Sequence, residues 1–108
     1  DEHMIKEITV EELKRKMDEK ANIVLLDVRQ QEEHEYVNIG GALIPLNELQ
    51  GRLGELDKNA ETVVYCRSGS RSARAVAFMQ QQGFSNVENL RGGILAWAEK
   101  IDPSKPRY

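Results

Sequence analysis

Apolar positions change their spacing from segment to segment along this chain, and the spacing predicts the elements. Ile23-Val24-Leu25-Leu26-Asp27-Val28 is a short, almost unbroken apolar run, the pattern of a strand covered on both faces and hence of a parallel sheet. Thr62-Val63-Val64-Tyr65 and Val87-Glu88-Asn89-Leu90 read as further strands. Ala42-Leu43-Ile44 reads as another, closed by Pro45, whose ring disfavours helix for the residue before it. Between these runs the spacing lengthens to three and four residues. Thr9 and Glu12 have capping-box spacing and Ile8 can staple onto Leu13, so a helix starts at Thr9 and ends near Lys20. Leu46, Leu49, Leu53 and Leu56 predict a second helix with Asn47 as N-cap, weakened by Gly51 and Gly54. A third runs from Arg71 to Gln82 and stops at Gly83. Gly92-Gly93 leads into a short fourth, holding Ile94, Ala96, Trp97 and Ala98.

Alternating strands and helices predict an α/β fold with a mainly parallel central sheet flanked by helices on both faces. The domain spans residues 4–101. Pro103 and Pro106 mark residues 102–108 as a flexible tail, and Asp1-Glu2-His3 ahead of Met4 reads as an expression remnant.

Composition narrows the function. With 108 residues, 40% hydrophobic, the chain can bury one core and is too short for two ordinary domains. Its 31% charged residues, net charge of -3 and pI near 5.4 argue against a general nucleic-acid partner. Lys14-Arg15-Lys16 lies among Glu11, Glu12, Asp18 and Glu19 and reads as a solvated helix face. No apolar stretch approaches the roughly 20 residues that span a bilayer, and no secretory pattern opens the chain, so no membrane partner is expected. The lone cysteine, Cys66, rules out an internal disulfide. With only His3 and His34 beside it, it gives little basis for a metal site. A reducing compartment, the cytoplasm, fits.

Cys66 also carries the chemistry. It stands where a strand runs into Cys66-Arg67-Ser68-Gly69-Ser70 and then a helix. A strand, a tight Gly-containing loop and a helix form an anion cradle, because the unpaired N–H groups at the helix start converge inside the loop. The helix dipole, Arg67 and Arg71 each favour thiolate over thiol. Ser68 and Ser70 offer hydroxyls, Gly69 lets the backbone curl, and the guanidinium groups can hold an anionic donor. A small buried cysteine at a strand end would not call for so polar a turn, and the carboxyl end of a parallel sheet is where such folds bind ligands. Arg74, one turn on, reads as a surface charge. Trp97, Phe78, Phe84 and Met79 read as core.

With these residues in place the sequence resembles the rhodanese family, from Ile8 to about Glu99. Leu26-Asp27-Val28-Arg29 resembles the family's strand-end motif and Cys66 to Arg71 its active-site loop. Gly83-Phe84, Val87, Asn89-Leu90 and Gly92-Gly93-Ile94-Leu95-Ala96-Trp97 resemble its closing segment. The middle motif is only partly present: His34 follows Glu33 in an aromatic, packing place, and Val37 and Asn38 replace Gly-His. The resemblance implies a two-step sulfur transfer. Cys66 takes the outer sulfur of thiosulfate or a related small anionic donor as a persulfide, then yields it to cyanide, a thiol or a sulfur-carrier protein. It further implies that loop N–H groups stabilise the persulfide, that Arg67 and Arg71 bind the donor, that Asp27 and Arg29 brace the loop, and that no metal or organic cofactor is needed.

Two other readings compete. Cysteine phosphatases and arsenate reductases of related fold place five residues between cysteine and arginine. Here four lie between Cys66 and Arg71, a ring suited to sulfur more than to a phosphoryl group. A non-catalytic binding module of the same family would often lack the loop cysteine.

Overall fold

The parallel sheet implied by the apolar runs has five strands in the computed structural model, which describes residues 5–108. The proposed remnant and Met4 lie outside the described residues. In chain order the elements are β1 (Glu7–Ile8), α1 (Val10–Asp18), β2 (Ile23–Asp27), α2 (Gln31–Tyr36), β3 (Ala42–Leu43), α3 (Leu49–Arg52), β4 (Glu61–Tyr65), α4 (Ser70–Gln81), β5 (Val87–Leu90) and α5 (Gly93–Lys100). Strand order is β1-β5-β4-β2-β3, with every pairing parallel.

The sheet is covered on both faces, which is why its central strands carry no polar alternation. Leu26, Val28, Val64 and Cys66 face α4 and the segment around α3, packing with Ala75, Val76, Met79 and Leu49. Their neighbours Val63 and Tyr65 face α1 and α5, packing with Leu13, Ile94 and Trp97. α1 starts as its capping box dictates: Thr9 Oγ1 accepts from Glu12 N (3.1 Å) and Glu12 Oε1 accepts from Thr9 N (2.9 Å).

The sequence reading departs from the structure in three elements. Residues 46–55 do not form one helix capped at Asn47. They form a 3₁₀ turn, the single turn of α3 and a second 3₁₀ turn, as expected where Gly51 and Gly54 weaken a leucine stripe. Two elements escaped the pattern. β1 is two residues long. α2 buries no residue, so it has no apolar period to betray it; its first turn is fixed by Gln30 N donating to Glu33 Oε1 at 3.0 Å.

β2 and β4 end side by side, Asp27 opposite Tyr65. Everything that follows each strand, Val28-Arg29 on one side and Cys66 to Ser70 on the other, therefore meets at the carboxyl edge of the sheet.

Candidate active site

Cys66 closes β4 and α4 begins at Ser70, with Gly69 in the N-cap position at φ +109°. That backbone conformation is open to glycine and costly for other residues, and it turns the first N–H groups of α4 back onto the cysteine. Cys66 Sγ accepts from Gly69 N (3.1 Å), Ser72 N (3.4 Å) and Ser72 Oγ (3.3 Å). The two N–H groups are donors a helix leaves unpaired at its start, and the hydroxyl adds a third.

A second helix start holds the loop from behind. Ile94 N donates to the Cys66 carbonyl (3.0 Å) and Leu95 N to that of Arg67 (3.1 Å). The approach is so close that a Cβ on Gly93, at φ +60°, would press into both carbonyls.

The electrostatics of Cys66 follow from this cradle. Burial pushes the thiol up, but the Ser72 hydroxyl and the N–H groups of Ser72, Gly69 and Ser68 outweigh it, and the pKa falls below that of an ordinary cysteine. The cause is hydrogen bonding to the charged form by the groups at the helix start, more than the charges of Arg67 and Arg71.

Those guanidinium groups are engaged elsewhere. Arg71 makes a bidentate pair with Glu33 of α2, at 2.7 and 2.8 Å, and Arg71, opposed by burial and helped by Gln30 N–H and the Tyr108 hydroxyl, holds the Glu33 carboxyl at about 2. Arg67 is exposed, lies 5.2 Å over the Tyr108 ring and donates through Nε (2.6 Å) and Nη2 to the Tyr108 carbonyl. Ser68 and Ser70 are exposed at the loop's rim, and Cys66 beneath them is fully covered.

Asp27 and Arg29 lie under the rim with no exposure at all. Arg29 Nε and Nη2 hold the Asp27 carboxylate at 2.7–3.1 Å, Nη2 also reaches the Val37 carbonyl (2.6 Å), and Nη1 reaches the Tyr108 hydroxyl (2.8 Å). His34 Nδ1 is 2.8 Å from Asp27 Oδ2, so the residue sits in this polar cluster. The Tyr108 hydroxyl donates to Glu33 Oε2 at 2.8 Å and so joins the Arg29 and Arg71 clusters. The tail thus carries no helix or strand, yet its last residue is docked against the loop.

Sequence reasoning missed four contributors: Ser72, Asn89, Glu33 and Tyr108. Ser72 Oγ also lies 2.5 Å from Asn89 Oδ1, a second acceptor for its one proton, and Asn89 Nδ2 donates to the Gly69 carbonyl (3.2 Å). Ser72 had a local signal, being the third residue of a helix whose third N–H points at the loop. Asn89 had one as well, a polar residue inside a buried strand. A surface groove of about 260 Å³ lies beside α4, lined by Leu46, Leu49, Gln50, Arg74 and Phe78; Cys66 does not line it. Among the described residues no helix is long and apolar enough to cross a membrane.

Comparison with known proteins agrees with this architecture. The rhodanese-like domain model matches residues 9–100. A sulfurtransferase of Allochromatium vinosum is 41% identical over 96 residues, covering 88% of this chain and 90% of that protein. The adenylyltransferase and sulfurtransferase MOCS3 of Arabidopsis thaliana is 33% identical over 118 residues; 94% of this chain is covered and only 25% of the plant protein. The crystal structure of a rhodanese-like domain protein from Staphylococcus aureus superposes with a TM-score of 0.81 at 30% identity, covering 96% of this chain and 99% of that one.

Proposed function

The chain belongs to the rhodanese-like domain family, and from that premise we propose that it is a sulfurtransferase whose Cys66 carries sulfane sulfur as a persulfide. The observation that carries the proposal is the set of donors around Cys66 Sγ. They favour the thiolate, which is the form that attacks sulfur.

The donor is thiosulfate or a related persulfide or polysulfide anion. In the first step the thiolate attacks the donor's outer sulfur; the new S–S bond forms as the donor's own S–S bond breaks, and the electron pair leaves on sulfite from thiosulfate, on a thiolate from a persulfide, or on the shortened chain from a polysulfide. The persulfide's negative charge then lies on the outer sulfur. In the second step cyanide, a thiolate or a sulfur-carrier protein attacks that outer sulfur, and Cys66 recovers the bonding pair as thiolate.

Arg67 binds the donor by exchanging the Tyr108 carbonyl for the donor's oxygens. Arg71 keeps Glu33 and has further N–H donors to offer, because a guanidinium carries five. Asp27 and Arg29 brace the rim: two buried opposite charges, hydrogen-bonded to each other and, through Arg29, to the Val37 carbonyl and the Tyr108 hydroxyl. No metal or organic cofactor enters either step.

The test is intact mass of the protein before and after thiosulfate, and again after cyanide, in the parent and in Cys66→Ser. A reversible gain of about 32 Da that requires Cys66 is expected from transfer of one sulfur atom to the nucleophile. No gain from thiosulfate, polysulfide or an organic persulfide would overturn the enzyme reading in favour of a binding module.

A further inference from the structure

We propose that the hydroxyl proton of Ser72 is a two-position switch that follows the charge on sulfur, donated to Cys66 Sγ in the thiolate and to Asn89 Oδ1 in the persulfide. The proposal rests on the sulfurtransferase reading above. It adds Ser72 as a catalytic residue, in contact with the reacting atom, and Asn89 as the residue that positions it.

The geometry allows no simultaneous arrangement. Ser72 Oγ is 3.3 Å from Cys66 Sγ and 2.5 Å from Asn89 Oδ1, and a serine hydroxyl has one proton to give. Asn89 cannot turn to relieve the competition. Its Nδ2 is committed to the Gly69 carbonyl, so the end facing Ser72 is the oxygen, which only accepts. All three side chains are buried, with Ser72 and Cys66 at 0% exposure and Asn89 at 3%. The backbone donors to Sγ are fixed by the main chain. Of the donors to Sγ, Ser72 Oγ–H alone can turn away by rotating one bond.

The two covalent states pull that proton in opposite directions. A thiolate is a charged acceptor, and a charge-assisted hydrogen bond is roughly twice as strong as a neutral one, so the Ser72 O–H points at Sγ. Once the outer sulfur is bonded, the charge sits on that outer atom, Sγ is a weak neutral acceptor, and the O–H turns to the Asn89 oxygen. In the second step charge develops on Sγ as the S–S bond breaks, and Ser72 delivers its proton to the hydrogen bond at that moment. Ser72 thus stabilises Cys66 as a leaving group. In the first step it stabilises the attacking thiolate in the ground state, and nucleophilicity falls with basicity with a coefficient of about 0.4–0.5. The two half-reactions therefore depend on Ser72 with opposite sign.

Single-turnover kinetics of Ser72→Ala test this, at a pH where Cys66 is ionised in both proteins. Charging by thiosulfate is followed by intact mass and discharge to cyanide by thiocyanate release. Discharge is expected to slow by roughly tenfold, the loss of one hydrogen bond to a charged group, while charging is unchanged or faster. The alkylation pKa of Cys66 is expected to rise. Equal slowing of both steps, an unslowed discharge or an unmoved alkylation profile would overturn the switch while leaving the sulfurtransferase reading intact. A parent protein that takes up no sulfur overturns both. Asn89→Ala is expected to change the ratio of the two rates in the parent and not in Ser72→Ala; a change in both backgrounds would refute its positioning role.

Discussion

Replacing Glu33 with Gln breaks the ion pair that ties helix α4 to α2. The substitution keeps the side chain's shape and one acceptor toward Arg71, and removes the charge together with the second acceptor, because an amide NH2 only donates. Arg71 is the leading reason that the Glu33 carboxyl lies at about 2, against 4.5 for an ordinary glutamate. That separation corresponds to roughly 3 kcal/mol at neutral pH, and about 2–3 kcal/mol after allowance for the partial exposure of both side chains, 20% and 32%. The sign is that of a depressed acid. The contribution is complete above the unfolded value near 4.5 and is lost as pH falls through about 2, where the parent carboxyl is protonated and behaves as Gln does. Urea unfolding of the two proteins at several pH values measures the difference directly. At pH 7 the midpoint of Glu33→Gln is expected to lie roughly 1–2 M below that of the parent, with the slope unchanged. The gap should shrink between pH 4.5 and pH 2. A stability difference that stays constant over that range would refute the assignment of the effect to the charged pair.

Three further outcomes follow from the geometry of the site. The rate of Cys66 alkylation against pH should give a midpoint below the free-thiol value of about 8.5; a midpoint at or above it would contradict the dominance of the hydrogen-bond donors over burial. Asp27→Ala leaves Arg29 charged and buried, and should lower the urea-unfolding free energy by about 3–5 kcal/mol. Gly93→Ala introduces a Cβ against the loop carbonyls at a positive φ, and is expected to cost more than about 2 kcal/mol in thermal unfolding and to reduce sulfur uptake by the folded fraction.

The central strands and the loop were legible because their determinants are local. An unbroken apolar run reports burial on both faces, and Cys66 to Arg71 spell a strand-turn-helix in sequence. The cradle was legible for the same reason: the N–H groups of Gly69 and Ser72 lie within six residues of Cys66. Glu33 was not legible, since a helix with no buried residue has no apolar period, and its partner Arg71 is 38 residues away. Tyr108 stands in a proline-marked tail, and its contacts to Arg29 and Arg67 are set by how the chain folds back. Asn47 failed as a cap because two glycines broke the helix it was to begin. The helix-start N–H groups around Cys66 were foreseen; the engagement of Arg67 with Tyr108 and of Arg71 with Glu33 was not, because those partners are distant in sequence.

β1 is only two residues long, and its one partner is the last strand of the sheet. It pairs with β5, Glu7 opposite Asn89, and the Lys6 carbonyl accepts from Asn89 N at 2.9 Å. During synthesis the first strand must therefore wait for the last, some eighty residues later, before it has a partner. β5 takes its register from β4, Val64 opposite Asn89, and β1 closes its other edge; the Asn89 side chain clamps both Gly69 and Ser72. A nascent chain that has reached α4 already displays Cys66 but lacks the residue that orders its surroundings. The surroundings of Cys66 are therefore completed late, when β5 has paired along both its edges.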